Sequence, residues 1–226
     1  MSLRNLFFVT ISVLFFQNIS AQHNFEQSNH LGITGGLTFL NIETSNFETE
    51  QGEGYFLAFT TRGAFYDAFD LIYGISFVQT EIGILGRDIT GESNNGLSQY
   101  VDYVLQSAQI NLLGSFNIIN DRLSIEFGPV LNVNGKMKLK RNGFENYVLR
   151  GYENLTAEQI QNVSRVNLHA AAGITAGLEN FRLSAQYQYG ATNLFNRLND
   201  LDIEQPANSK FEGNTGTLIF AVVVYF

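Results

Sequence analysis

Apolar and polar residues alternate along most of the chain with a period of two, the spacing of a strand whose two faces meet different surroundings. The segment 181–190 shows it most plainly. Phe181, Leu183, Ala185, Tyr187 and Tyr189 fall on one face, and Arg182, Ser184, Gln186, Gln188 and Gly190 on the other. The pattern recurs over 31–41, 55–65, 69–85, 104–118, 123–134, 166–178 and 215–226. Eight segments of about ten or more residues each have the length that a tilted strand needs to cross a bilayer.

The connections sort into two kinds. Tight turns are expected near 66–68, 119–120 and 179–180, and long polar stretches near 42–54, 86–103, 136–164 and 191–214. Short and long connections alternate strictly, as in membrane barrels that keep their turns at one rim and their loops at the other. The fold class expected is therefore all-β, a closed eight-stranded antiparallel up-and-down transmembrane β-barrel. Pairing across 179–180 sets Leu178 opposite Phe181 and Gly177 opposite Arg182, like with like. Across 119–120 it sets Phe116 opposite Leu123. A one-residue slip would reverse both faces.

Alternation alone does not separate a membrane barrel from a soluble one, which reverses the faces. The chemistry of the polar face does. It carries Gly32, Thr34, Gly36 and Thr38 in the first strand and Gly173, Thr175 and Gly177 in the sixth. A water-facing exterior would be rich in Lys and Glu. Small neutral residues instead suit the narrow lumen of an eight-stranded ring. The apolar face then meets lipid, with Phe65, Phe69, Phe116 and Tyr187 marking the interfaces.

The N-terminus stands outside this pattern. Arg4 precedes an apolar run from Leu6 to Phe16, and Ile19-Ser20-Ala21 ends it with small residues before Gln22. That order predicts a signal peptide over 1–21 and a barrel domain over 22–226, about 205 residues. Thirteen basic side chains face 21 acidic ones, for a net charge of −8, and removing the segment with Arg4 leaves the chain one unit more negative. An acidic chain without a basic run is a poor nucleic-acid binder. With no cysteine, disulfides, thiolate metal sites and a lipoprotein anchor are excluded. Past residue 21 no apolar run is long enough for a membrane helix.

The final strand alternates up to the terminal carboxylate through Leu218, Phe220, Val222, Val224 and Phe226. A strand closing on an aromatic resembles the signal by which the barrel-assembly machinery recognises its clients. The mature chain as a whole resembles the PorT-like outer-membrane β-barrel proteins of Bacteroidetes. The resemblance is carried by Ser20-Ala21-Gln22, by Gly32-Ile33-Thr34-Gly35-Gly36-Leu37 and by Phe127-Gly128-Pro129-Val130-Leu131. Tyr187-Gln188-Tyr189-Gly190-Ala191-Thr192-Asn193-Leu194 and Phe226 complete it. These motifs are architectural rather than catalytic. The resemblance implies residence in the outer membrane among lipid and lipopolysaccharide. For the family's namesake it implies a role in cargo secretion by the type IX system, alongside secretion-system proteins.

Few ionisable residues lie on the inward face: Arg62, Asp70, Glu126 and Arg182 near the short-turn end, with His169 further up. Asp70 is diagonal to Arg62 across a hairpin, so the two are expected to pair. A lumen plug of paired charges is the expectation; a charged gate is the alternative. Eight strands leave no aqueous channel, since porins need about sixteen. An enzyme needs a base beside a nucleophile, or paired carboxylates. The histidines are His23, His30 and His169, and His169 has Asn167 and Ala171 as same-face neighbours. No catalytic residue, cofactor or metal site is therefore assigned.

The long loops remain as the functional surface. The first holds Glu43, Glu48, Glu50 and Glu53, an acidic group without a calcium-loop pattern. Lys136, Lys138, Lys140 and Arg141 open the third, placed either to touch lipopolysaccharide phosphates or to extend a strand beyond the membrane. Thr156-Ala157-Glu158-Gln159 reads as a capping box opening a helix over 157–163. The leading expectation is a non-enzymatic barrel with a structural or interaction role. A barrel enzyme acting on lipid or peptide, or a small-ligand binder, are the alternatives.

Overall fold

The computed structural model describes residues 29–66, 68–89, 98–119, 122–207 and 210–226. The expected signal peptide and its cleavage site, His23, and the turn residues Asp67 and Asn120 lie outside the described residues. Eight long strands form the fold: β1 (Asn29–Glu43), β2 (Gly52–Tyr66), β3 (Phe69–Arg87), β4 (Ser98–Ile119), β5 (Leu123–Asn134), β6 (Val166–Gly177), β7 (Phe181–Gly190) and β8 (Asn214–Tyr225). Each pairs antiparallel with its sequence neighbours, and β8 pairs with β1 from Gly32↔Tyr225 to Glu43↔Asn214. The ring is closed, so no edge amide is left unpaired in a medium that cannot hydrogen-bond.

Closure fixes the geometry. Stepping from Asn29 through the paired residues Gly63, Leu71, Gly114, Phe127, Ala172, Tyr187 and Leu218 returns to β1 at Phe39, ten residues along. With ordinary strand rise and spacing, that stagger over eight strands gives a tilt of about 40° and a backbone radius of about 8 Å. At this tilt the outward residues from Ile118 to Ala108 cover about 25 Å, the height of an outer-membrane apolar band.

Gly177 pairs with Arg182 as the sequence suggests. The β4–β5 hairpin differs: Phe116 opposes Ile125, and Leu123 opposes Ile119. An irregularity between Asn117 and Ile119 shifts the register there. Because the net offset from the expected pairing is two residues, every side chain keeps its face. In β5 the ladder to β4 is interrupted between Phe127 and Val130, where Pro129 has no N–H to give.

The outward residues are apolar and exposed, among them Ile33, Leu37, Phe77, Ile110, Phe127, Leu183 and Phe220. Phe65, Phe69 and Phe116 gather at the short-turn rim, where Phe69 pairs with Phe116. The lumen is less uniformly polar than expected. Phe56, Ala58, Val78, Ile219 and Ala221 form one buried apolar patch inside it, and Ile72, Leu113, Val130 and Ala171 form another.

Toward the long-loop end the faces exchange character. On β1 the inward side chains run Thr34, Thr38, Leu40, Ile42, and on β3 they run Ser76, Thr80, Ile82, Ile84. The outward positions turn polar over the same stretch, at Asn41, Glu43, Gln79 and Glu81. Here the barrel leaves lipid and becomes an ordinary water-soluble β structure with an apolar interior. The loops fill that interior with Phe47, Met137, Leu149, Leu155, Ile160, Leu194, Phe195, Leu198 and Phe211. The loops are stitched to the strands by short ladders: Thr49–Glu50 on β3, Lys138–Leu139 on β4 and Val148–Leu149 on β3. The expected helix over 157–163 is a single 3₁₀ turn, Gln159–Gln161. One arm of the capping box is present, the Thr156 N–H donating to Gln159 Oε1 at 2.9 Å. Among the described residues no helix is long and apolar enough to cross a membrane.

Candidate functional site

Three layers fill the barrel from the short turns upward. In the lowest, Arg62 Nε donates to Asp70 Oδ2 at 2.7 Å. The diagonal placement across the β2–β3 hairpin, where Arg62 opposes Ile72, makes that reach possible. Arg62 Nη2 donates to Ser115 Oγ, Asn117 Oδ1 and Ser124 Oγ at 2.9, 2.8 and 3.0 Å. Its Nη1 lies 3.7 Å from Glu126 Oε1. Asn117 also donates to Asp70, and Arg182 Nη1 donates to Ser124 Oγ at 3.2 Å. Arg62, Asp70, Glu126 and Arg182 thus share one buried layer. Charges with this many fixed partners are held in place rather than hydrated. Ser115, Asn117 and Ser124, which the sequence reading passed over, complete the cradle. Their signal was their parity, since all three fall on the inward face.

The middle layer is neutral. Ser76 donates to Gln109 at 3.1 Å, Gln109 to Gln188 at 3.1 Å, and Gln188 to Gln186 at 2.9 Å, a chain of amides across the bore. His169 stands apart from the charged layer. It is buried opposite Val130 and Gly190, diagonal to Gln188 across the β6–β7 pair, so it belongs to this amide layer. Above it Asn132, Asn134 and Asn167 link in sequence at 2.7 Å each, and Asn167 reaches Thr192 Oγ1 at 2.8 Å. Two narrow cavities in the lumen, lined in part by Glu126 and by His169, measure about 50 and 30 Å³.

The third layer is the apolar cap. Phe47 stacks on Phe211 at 5.6 Å between ring centres and meets Phe195 edge-on at 5.1 Å. Tyr103 anchors the cap from below, its hydroxyl donating to the Ala157 carbonyl at 3.0 Å. Asn193 clamps the fourth loop, accepting the Phe195 and Gly213 N–H groups at 2.9 Å each. The Thr192-Asn193-Leu194 stretch therefore has a local structural explanation.

Over the cap lies a cleft of about 550 Å³ between three loops, lined by Asn46, Glu48, Arg150, Tyr152 and Glu204 among others. Arg150 pairs with Glu48 at 2.8 Å. The Glu204 carboxylate accepts the N–H groups of Glu153, Asn154 and Leu155 at 2.6 to 3.1 Å, tying the fourth loop to the third. Those donors hold its carboxyl below the ordinary carboxylate range. In the third loop Lys138 continues a strand on β4 beyond the belt, and Lys140 bonds Glu81. Among the described residues no group of acidic or histidine side chains is gathered to hold a metal.

The protein is a closed, filled, eight-stranded membrane β-barrel.

No family model and no curated protein matches the chain. Among solved structures, neisserial surface protein A is similar at 13% identity, over 87% of this chain and 97% of that one, with a TM-score of 0.49. The attachment invasion locus protein Ail of Yersinia pestis is similar at 18% identity, over 88% and 99%, with a TM-score of 0.46.

Proposed function

We propose that this is a non-conducting outer-membrane barrel whose work is done by its external cap, as a rigid platform for a protein partner. The observation that carries the reading is the filled lumen: a charged layer, an amide layer and an apolar cap stand in series. A barrel so occupied has two accessible polar surfaces, the short-turn rim and the cap, and only the cap has shape beyond the ring itself. Three loops crosslinked by Glu204, by the Arg150–Glu48 pair and by the Glu212 N–H bond to Asn46 make it stiff, which lowers the ordering cost of docking. Outer-membrane location follows from the architecture, short turns at one rim and long loops at the other.

Membership of a protein-secretion assembly is the specific role we infer, on the resemblance to PorT-like barrels. Deleting the gene and measuring secreted and surface proteins tests it, with loss of cargo as the expected result. Gentle solubilisation followed by affinity isolation should recover a stable partner, and unchanged secretion with a solitary barrel would count against the reading. In planar bilayers the protein should give background conductance, whereas steady channels would overturn the filled-lumen premise.

A further inference from the structure

We propose that the flank formed by β2 to β5 carries a groove for an acyl chain of a phosphorylated outer-leaflet glycolipid, with Lys138 meeting the phosphate. The inference rests on the membrane-barrel reading. A cavity of about 520 Å³ opens on the outward side of this flank, lined by Tyr55, Phe77, Gln106, Ala108, Val133 and Gly135 among others. It is a shallow, open depression along the wall, a shape that fits a chain lying against the strands.

The register explains the groove. One outward row reads Leu57, Phe77, Ala108, Val133 across paired strands. The next row up reads Tyr55, Gln79, Gln106 and then Gly135, whose N–H bonds the Gln106 carbonyl at 2.8 Å. Ala108 and Gly135 are small residues between large ones, so they form a floor with Phe77 and Val133 as walls. Gln106 Nε2 donates to Gln79 Oε1 at 2.7 Å, which places two amides at the upper limit of an otherwise apolar belt. Amides at that depth match the ester and amide links that join acyl chains to a headgroup.

The row above carries Glu53, Glu81, Val104 and Lys138. Lys140 is bonded to Glu81, and Asp102 lies one row further out. Lys136 and Lys138 are exposed, and among the described residues no carboxylate lies within ion-pair distance of either. The β5 side of the mouth thus presents the two ammonium groups of Lys136 and Lys138, complementary to phosphate, while the carboxylates of Glu53 and Glu81 lie on its β2–β3 side. Because that mouth lies at the long-loop end, it opens to the outer leaflet.

The test uses the full chain in nanodiscs of phosphatidylethanolamine, with and without lipid A, read by native mass spectrometry after release. The expected result is a one-to-one lipid A adduct. It should be lost in Ala108→Trp, which fills the floor, and weakened in Lys138→Glu. It should persist in Ala172→Trp, a lipid-facing control between Phe127 and Tyr187. Equal lipid A retention by Ala108→Trp and the unaltered protein overturns the groove. Phosphatidylethanolamine adducts of equal yield, blocked by the same variants, overturn the choice of glycolipid. Failure of the unaltered protein to insert at all would instead strike the membrane reading, and heat-shifted gel mobility confirms that each variant is folded.

Discussion

Thr80 and Ile82 stand two residues apart on the same face of β3, yet Thr80 shares a hydrogen bond with Thr38 over Gly54 of the intervening β2 while Ile82 lies in the apolar core of the cap. The change of solvent outside the barrel falls between them. Below, lipid requires an apolar exterior and permits a polar interior. Above, water requires the reverse.

This boundary predicts that substitutions act by layer. Ile82→Thr puts a hydroxyl into the cap and removes buried apolar surface, a cost of about 2–4 kcal/mol. The loss should be local. Limited proteolysis should cut the third and fourth loops faster while the barrel keeps its heat-shifted gel mobility. Unchanged loop protection would mean that the cap is not held by its apolar core.

The charged layer should be more sensitive than the cap. Arg62→Met leaves Asp70 and Glu126 buried without their principal cation, and breaking such a pair costs about 3–5 kcal/mol. A lowered urea midpoint in lipid vesicles would register it. Arg62→Met with Asp70→Leu should recover part of the loss, because the two residues act as one unit. Arg182→Met should also lower stability with conductance at background. A new steady channel in that variant would show the layer to be a gate.

How much of this was legible depends on what period-two alternation can carry. It gave the eight strands, the alternation of short and long connections, and the Arg62–Asp70 diagonal, because all three follow from parity. The cap was not visible by that reasoning, since parity persists through the exchange of faces while its meaning reverses. The trace of the exchange was there as adjacent apolar residues, Phe39-Leu40 and Val104-Leu105, each joining an outward position to a core one. Phe47, Phe195 and Phe211, lying in loops with no period, left no such trace. Nor did Glu204, whose partners are backbone amides. The β4–β5 register failed for a different reason: an irregularity shifts the pairing by a local backbone choice that alternation does not record.

Acid should loosen the loop clasp. The folded-state pKa of Glu204 lies below its unfolded value because three backbone N–H groups favour the carboxylate. Its contribution is therefore present above the unfolded pKa and is lost as pH falls through the folded one. Glu204→Gln should cost about 1 kcal/mol, the low end for charged hydrogen bonds, because the carboxylate is open to solvent. Hydrogen-exchange protection at Glu153, Asn154 and Leu155, taken against the intrinsic rate at each pH, should fall below pH ~4 in the unaltered protein. In the Gln variant that protection should be low already at neutral pH and change little on acidification.

Alkali should act on the same clasp from the other side. Burial, followed by the nearby Glu204 charge, pushes the Tyr152 hydroxyl up to about 12. The folded pKa exceeds the unfolded value of about 10, so the neutral phenol contributes stability that is complete below that value and declines as pH rises through the folded one. The ring packs against Phe47 and Phe211, with centroids 5.8 and 6.1 Å away, so ionisation places a charge beside the aromatic core of the cap. Tyr152→Phe retains that packing and removes the ionisation. Loop proteolysis should rise between pH ~10 and ~12 in the unaltered protein and stay flatter in the variant. Equal alkaline loss in both would assign the effect to another group and leave the phenol without a role in holding the loops.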